Sequence, residues 1–240
     1  DRLLLQRRPQ TAGGAFSKAA SIGGYMPDSI TVAIFDFDNT MRRGDSITDL
    51  VRYAMQRGKL QPARLPGILW STLLYLIGAK HEVEAKAQAL AFMASLNEAE
   101  QEALFSGFVQ DQLLPHLYPE ALRETQKHAD AGRKVLIVSA SPDCYMRYLQ
   151  PALPVATVLA TPVNAQGAVG HNCKGEEKLR RINQWAQEND YHIDWPNSYG
   201  YGDSAADAPY LRQVGHPVAV NAHRKLLYMM PGISQVTWGK

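Results

Sequence analysis

The sequence predicts an α/β fold: a doubly wound parallel sheet, interrupted after its first strand by an inserted helical segment. Three observations carry that expectation. Short apolar runs rich in β-branched residues recur at 29–35, 134–141 and 217–221. Stretches with helical periodicity alternate with the later runs, as strand–helix units require. Between the first run and the second lies a long stretch that reads as helix throughout. Apolar runs without polar alternation suit strands covered on both faces, which is the habit of parallel sheets.

The elements follow in order. Residues 29–35 read as a buried strand. Asp45 or Ser46 can cap a helix whose apolar positions are Ile47, Leu50, Val51, Ala54 and Met55, with Gly58 as its stop. Asn97 followed by Glu100 has the spacing of a capping box, opening a helix with Leu104, Phe105 and Phe108 on one side. Pro119 stands at a first helical position and Gly132 ends that helix. "KVLIVSAS", residues 134–141, is a second buried strand, and 155–159 a third. Residues 176–189 carry Leu179, Ile182, Trp185 and Ala186 at helical spacing. Strands at 198–204 and 217–221 complete the sheet. The expected organisation is an N-terminal arm over 1–28, a core built from 29–41 and 116–240, and a helical insertion over 42–115. The arm is rich in basic and small residues and lacks an apolar run long enough for a signal peptide. It reads as a loosely attached arm, a trimmed targeting segment or an expression remnant.

Composition narrows the function classes. A net charge of +2 with no Lys/Arg cluster interleaved with aromatics argues against nucleic acid. Cys144 and Cys173 match neither a disulfide framework nor a metal spacing, so reduced thiols in a cytoplasmic protein are expected. "LPGILWSTLLYLIGA", residues 65–79, is uncharged but shorter than the ~20 residues a membrane span needs. It reads as a buried or surface-packed helix, with peripheral contact to a lipid surface as the alternative. The seven histidines show no ligand or triad pattern and are assigned to surface and packing roles.

The chemistry gathers at strand ends. Ligands of an open parallel sheet bind beyond the carboxyl ends of its strands, near a topological switch point. The first strand runs into Asp36-Phe37-Asp38-Asn39-Thr40, the second into Ser139-Ala140-Ser141, and a later one into Gly202-Asp203-Ser204-Ala205-Ala206-Asp207. Four carboxylates crowded at one rim repel one another and protonate unless a cation joins them. An all-oxygen ligand set points to Mg²⁺, which commonly pairs with phosphate.

On these residues the chain resembles the haloacid dehalogenase superfamily, in its phosphoserine-phosphatase-like branch. The DxDx[TV] motif is matched by "DFDNT", the strand-closing Ser/Thr by Ser139, the helix-opening lysine by Lys178, and GDSxxDxP by "GDSAADAP". All four occur in order, across residues 30 to about 221. The resemblance implies a Mg²⁺-dependent phosphomonoester hydrolase with a helical cap over 42–115. It implies Asp36 as nucleophile and Asp38 as general acid and base. The carboxylates of Asp36 and Asp203 and the backbone carbonyl of Asp38 would bind the metal, with Asp207 as a further ligand or support. Ser139 would hydrogen-bond the phosphoryl group, and Lys178 would hold that group and Asp36 together.

Each residue also has a plainer reading alone: strand-end turn for the first two acids, helix cap for Ser139 and Asp203, solvated lysine for Lys178. Their order lifts them together. Thr40, Arg43, Asp45 and Ser141 are the candidate substrate contacts. Asp45 occupies the place where phosphoserine phosphatases carry a glutamate for the substrate amine, and helix capping is the competing reading. Arg42 and Arg43 could meet an anionic substrate, but solvent is the favoured surrounding for both. The expected substrate is a small phosphate ester such as phosphoserine. The alternatives are a phosphorylated lipid head group, transfer to an alcohol instead of water, and a silent binding module.

Overall fold

The computed structural model describes residues 28–79 and 81–239. Strand β1 (Asp28–Ile30) is followed after one residue by β2 (Val32–Phe35). Helices α1 (Ser46–Gln56), α2 (Leu65–Leu76), α3 (Glu82–Leu90) and α4 (Glu98–Phe108) come next. Helix α5 (Pro119–Asp130) then leads into β3 (Lys134–Pro142), α6 (Asp143–Met146) and β4 (Thr157–Thr161). The remainder comprises α7 (Glu176–Glu188), β5 (Tyr191–Ile193), β6 (Tyr199–Gly202), α8 (Ala208–Leu211), β7 (His216–Val220), α9 (Arg224–Met229) and β8 (Ser234–Val236).

Six strands form one all-parallel sheet in the order β4-β3-β2-β6-β7-β8. The chain winds outward from β2 through β3 to β4, then returns to the other side of β2 with β6. The switch point therefore lies between β2 and β6, where Phe35 pairs with Tyr201. Alternation along β2 divides its side chains between two cores. Ala33 and Phe35 join Val135, Ile137 and Tyr201 on one face, with Leu50, Phe108 and Ala121 from the helices. Val32 and Ile34 join Leu136 and Val138 on the other, with Ile182 and Leu211. Both faces are dry, which is why β2 carries no polar residue until it ends.

The expected caps are present. Asp45 accepts from the Thr48 N–H at 2.9 Å, and Asn97 and Glu100 form a reciprocal capping box. Gly58, at φ +67°, and Gly132, at φ +76°, end α1 and α5 in the left-handed conformation that favours glycine. The helical stretch leaves and rejoins the sheet at one place: Arg42 bridges Leu117, and the Tyr118 N–H donates to the Met41 carbonyl at 2.8 Å.

Several expectations shift. The strand placed at 155–159 begins two residues later, because Val155 closes a turn onto the Leu153 carbonyl. Two strands of three residues, β5 and β8, are additions; runs so short show no readable periodicity. Strand β1 pairs with β5 in a separate two-stranded sheet, so the run at 29–35 is two strands. The arm expected over 1–28 lies outside the described residues except for Asp28, which opens β1.

Candidate active site

The rim of the sheet at the switch point is built from two loops, the end of β3 and one helix start. Asp36 directly follows β2, and its N–H donates to the Tyr201 carbonyl at 3.0 Å, which anchors it beside β6. Asp203 directly follows β6. The chain then turns back on itself, with the Asp207 N–H donating to the Ser204 carbonyl at 2.9 Å. This fold-back explains Gly202: a Cβ there would lie 2.6 Å from the Asp207 Cβ. Lys178 reaches in from the first turn of α7.

These side chains converge out of water. Asp36, Lys178, Asp203 and Asp207 are all buried. The Lys178 ammonium donates to Asp36 Oδ1 at 2.5 Å and to Asp207 Oδ1 at 2.6 Å, and Thr40 Oγ1 donates to Asp36 Oδ2 at 3.1 Å. Carboxylate oxygens of Asp36, Asp203 and Asp207 lie within 4.8 Å of one another. Burial pushes the Asp36 carboxyl up to about 7, against the pull of Lys178 and with Asp207 adding repulsion. Burial, then Asp36 and Asp207, push Asp203 up to about 8. Burial acts to lower Lys178, but Asp207 and Asp36 outweigh it and hold the ammonium above its ordinary value.

One ammonium is too little for three buried carboxylates. The donor set, all oxygen and short of positive charge, fits a hard divalent cation. Asp36 and Asp203 are the better-placed ligands. Asp36 accepts one donor on each oxygen, whereas Asp207 accepts Lys178 on Oδ1 and both the N–H and hydroxyl of Ser204 on Oδ2, each at 3.0 Å. Asp207 orients the lysine and the loop.

The Asp38 carboxylate is not among the three and has different neighbours. Its Oδ2 accepts from Ser46 Oγ at 2.8 Å and Ser141 Oγ at 2.7 Å; its Oδ1 accepts from the Ser46 N–H at 3.1 Å and Arg42 Nη1 at 3.3 Å. Ser46 Oγ also lies 2.7 Å from the fully buried Tyr145 hydroxyl. A serine has one proton to give, so with that proton on Asp38 the tyrosine must donate to the serine. Burial and the nearby Asp45 push Asp38 up, while the Ser141 and Ser46 hydrogen bonds and Arg42 pull it down; the net direction is up.

Among the expected substrate contacts, Thr40 is bound to Asp36, Ser141 to Asp38, and Asp45 to the start of α1. Arg43 is exposed. Ser139 is buried and accepts from the Ser141 N–H at 3.1 Å, which leaves its own proton free to donate; it caps no helix, because α6 begins after Pro142. Arg42 departs from the sequence reading, which gave it to solvent. It is only 4% exposed, paired with Asp38 and Asp49, because a tight loop after β2 turns it back under the acid four residues earlier.

Other neighbours were not foreseen. Lys86 of α3 donates to the Ala140 carbonyl at 2.8 Å and Asn172 Oδ1 at 2.7 Å, and pairs with Glu82 at 2.7 Å. It thus ties the helical stretch to the end of β3, which carries Ser139 and Ser141. His223 Nε2 lies 3.3 Å from Asp203 Oδ2, a contact its isolated position in the sequence does not announce. Arg42 depends on the fold-back of the loop after β2, and Lys86 and Tyr145 on long-range packing. A surface cleft of about 680 Å³ between α4, α6 and the loop after β4 contains none of Asp36, Asp38, Asp203 and Asp207, so the site rests on converging side chains and not on cavity size.

The chain is similar to known proteins. A family model described as haloacid dehalogenase-like hydrolase matches residues 33–212. A Mycobacterium tuberculosis protein named as a probable phosphatase is 27% identical over 212 residues, covering 85% of this chain and 73% of that one. A histidinol-phosphatase of Neisseria meningitidis is 26% identical over 204 residues, covering 81% of this chain and 92% of that one. A crystal structure of a Bordetella pertussis protein of unknown function superposes with a TM-score of 0.77 at 24% identity, covering 88% of this chain and 98% of the other; it shows the shared fold.

Proposed function

The chain belongs to the haloacid dehalogenase-like hydrolase family as a phosphomonoester hydrolase, and on that premise we propose that it cleaves a small phosphate ester through a phosphorylated Asp36. The observation that carries the proposal is the pairing of a lysine-bound acid, Asp36, with a second acid, Asp38, in a separate hydroxyl-lined niche.

The roles follow from the contacts. A carboxylate oxygen of Asp36 forms a bond to phosphorus as the ester P–O bond breaks. Asp38 gives its proton to the departing oxygen, and burial suits it to hold that proton. In the second step Asp38 takes a proton from water, whose oxygen attacks phosphorus and releases phosphate and Asp36. Lys178 and Thr40 fix both oxygens of Asp36 while leaving lone pairs on each. Ser139 has a proton to donate to a phosphoryl oxygen. Asp36 and Asp203, with the Asp38 carbonyl, would hold Mg²⁺, which supplies positive charge to the phosphoryl oxygens and keeps Asp36 ionised.

The helical stretch 42–115 acts as a cap in this reading. Its Lys86 contact with Ala140 and Asn172 holds it against the rim. Asp45, near the rim and committed to capping α1, can still present negative charge to a cationic substrate group. A small amine-bearing phosphate is therefore the first class to test, in keeping with the named relative that acts on histidinol phosphate. The unpaired Cys144 and Cys173 fit a cytoplasmic setting.

The test is phosphate release with Mg²⁺ across phosphoserine, histidinol phosphate, sugar phosphates and nucleotides, comparing the chain with Asp36→Asn. We expect turnover of at least one ester, lost by roughly a thousandfold or more in the variant, as for removal of a nucleophile. Substantial activity in Asp36→Asn would refute the assignment.

A further inference from the structure

We propose that α2 is a membrane-docking element that lays an outward apolar stripe into the surface of an anionic lipid bilayer. Helix α2 is apolar on two sides. Ile68 and Ser71 are buried against the rest of the chain, yet Leu69, Trp70, Leu73, Leu76 and Ile77 are exposed, at 67%, 62%, 46%, 73% and 67%. At 100° per residue these five positions fall within an arc of about 120°, one continuous stripe along the outer side. A soluble surface does not ordinarily gather its large apolar residues this way. Of the seven large exposed hydrophobics among the described residues, five are here.

Charge and shape select the occupant. Residues 50–81 contain no Asp or Glu but carry Arg52, Arg57, Lys59, Arg64 and Lys80. Arg52, Arg57 and Lys59 have acidic partners in Asp49, Asp111 and Glu100. Arg64 is exposed at the start of α2 with no ion pair among the described residues, and Lys80 follows the apolar segment in sequence. The next acid, Glu82, pairs with Lys86 and Lys174. An uncharged segment between two basic residues, with a tryptophan on its exposed side, is complementary to lipid acyl chains beneath anionic head groups.

The stripe is convex and narrow. Five partly exposed residues offer on the order of 600 Å², less than the ~800 Å² per partner that a stable protein interface usually buries. Twelve residues of helix extend about 18 Å, too short to cross the ~30 Å hydrocarbon core. Lying in the interface is the geometry that remains. The inference is independent of the catalytic reading, since binding is measured without turnover.

Flotation with vesicles of phosphatidylcholine alone, and of phosphatidylcholine with phosphatidylglycerol at roughly 7:3, tests it directly. The intact chain should float with the anionic vesicles, less so as salt is raised, and its tryptophan emission should shift to the blue. Trp70→Phe should remove that shift. The double variant Leu73→Gln/Ile77→Gln should reduce partitioning by about tenfold or more while keeping the melting temperature, because both side chains are exposed. Sedimentation of the same proteins without lipid supplies the competing outcome. The proposal is overturned if the intact chain does not bind anionic vesicles, if it binds neutral ones equally well, or if the double variant binds undiminished. It is also overturned if the double variant converts a dimer to a monomer without changing vesicle binding.

Discussion

Replacing Asp203 by Asn should make the metal-free protein more stable, although the residue lies at the centre of the candidate site. Asp203 is pushed up to about 8 from an ordinary 3.8, first by burial and then by Asp36 and Asp207. The sign follows from linkage. Below pH 3.8 the carboxyl is protonated folded and unfolded, and it costs nothing. Between 3.8 and 8 the unfolded chain ionises while the folded one resists, so the folded state loses ground as pH rises. At pH 7.5 the accumulated penalty is on the order of 4 kcal/mol, and near pH 5 it is about 1–2 kcal/mol.

Asparagine is nearly isosteric and cannot ionise, so it removes the penalty. Asp203 is the cleaner position because Lys178 bonds to Asp36 and Asp207, and changing either would take from a buried ammonium one of its two carboxylates. Thermal melts in EDTA at pH 7.5 should place Asp203→Asn roughly 10 °C above the unsubstituted chain, with a gap less than half as large at pH 5. Millimolar Mg²⁺ should then raise the unsubstituted chain and leave the variant where it was, because a ligand stabilises only the state that binds it. A variant that melts lower in EDTA at pH 7.5, or an equal Mg²⁺ response from both proteins, would show that the carboxylates do not crowd one another as described.

Lys178→Met should cost about 3–5 kcal/mol in urea unfolding, because Asp36 and Asp207 lose the cation between them, and should abolish phosphate release even where the fold survives. Gly202→Ala places a methyl group 2.6 Å from Asp207 Cβ, so the loop must move; a loss of about 1–3 kcal/mol and a weakened Mg²⁺ response in thermal melts are expected together. Burial pushes the Cys144 and Cys173 thiols up to about 12 and about 11, so neither should react with a thiol reagent at pH 8 until denaturant is added.

The parts of the fold that could be read in advance were those whose signals are local. Buried strands announce themselves as apolar runs, and capping pairs such as Asn97 and Glu100 lie three residues apart, so the order of strands and helices was legible. The rim was legible for a related reason: strand ends in a parallel sheet gather at one edge, so Asp36 and Asp203 meet once the topology is known. What escaped depends on orientation across long separations. The hydroxyls of Ser46 and Tyr145 reach one another across 99 residues, and Lys86 reaches Asn172 across 86. No sequence window contains such a pair. Helix α2 was legible only as alternatives, a buried or surface-packed helix or one in contact with lipid. A segment apolar on all sides does not say which side is covered, and the structure leaves Leu69, Trp70, Leu73, Leu76 and Ile77 exposed.

The division between Asp36 and Asp38 is where the chemistry of the proposal rests. Two acids in one buried loop are both raised by burial, yet a nucleophile must be ionised while a proton donor must keep its proton. Burial cannot separate them, so their partners must. Asp36 is bound by an ammonium at 2.5 Å and stands beside two further carboxylates, which makes it the acid that a divalent cation would ionise. Asp38 Oδ1 is held by the Ser46 N–H and Arg42, but both donors to its Oδ2 are hydroxyls, and a hydroxyl serves a carboxylate as donor or a carboxylic acid as acceptor by rotating its proton. Ser46, Ser141 and Tyr145 can therefore follow Asp38 through both protonation states without any heavy atom moving, which a lysine in their place could not do.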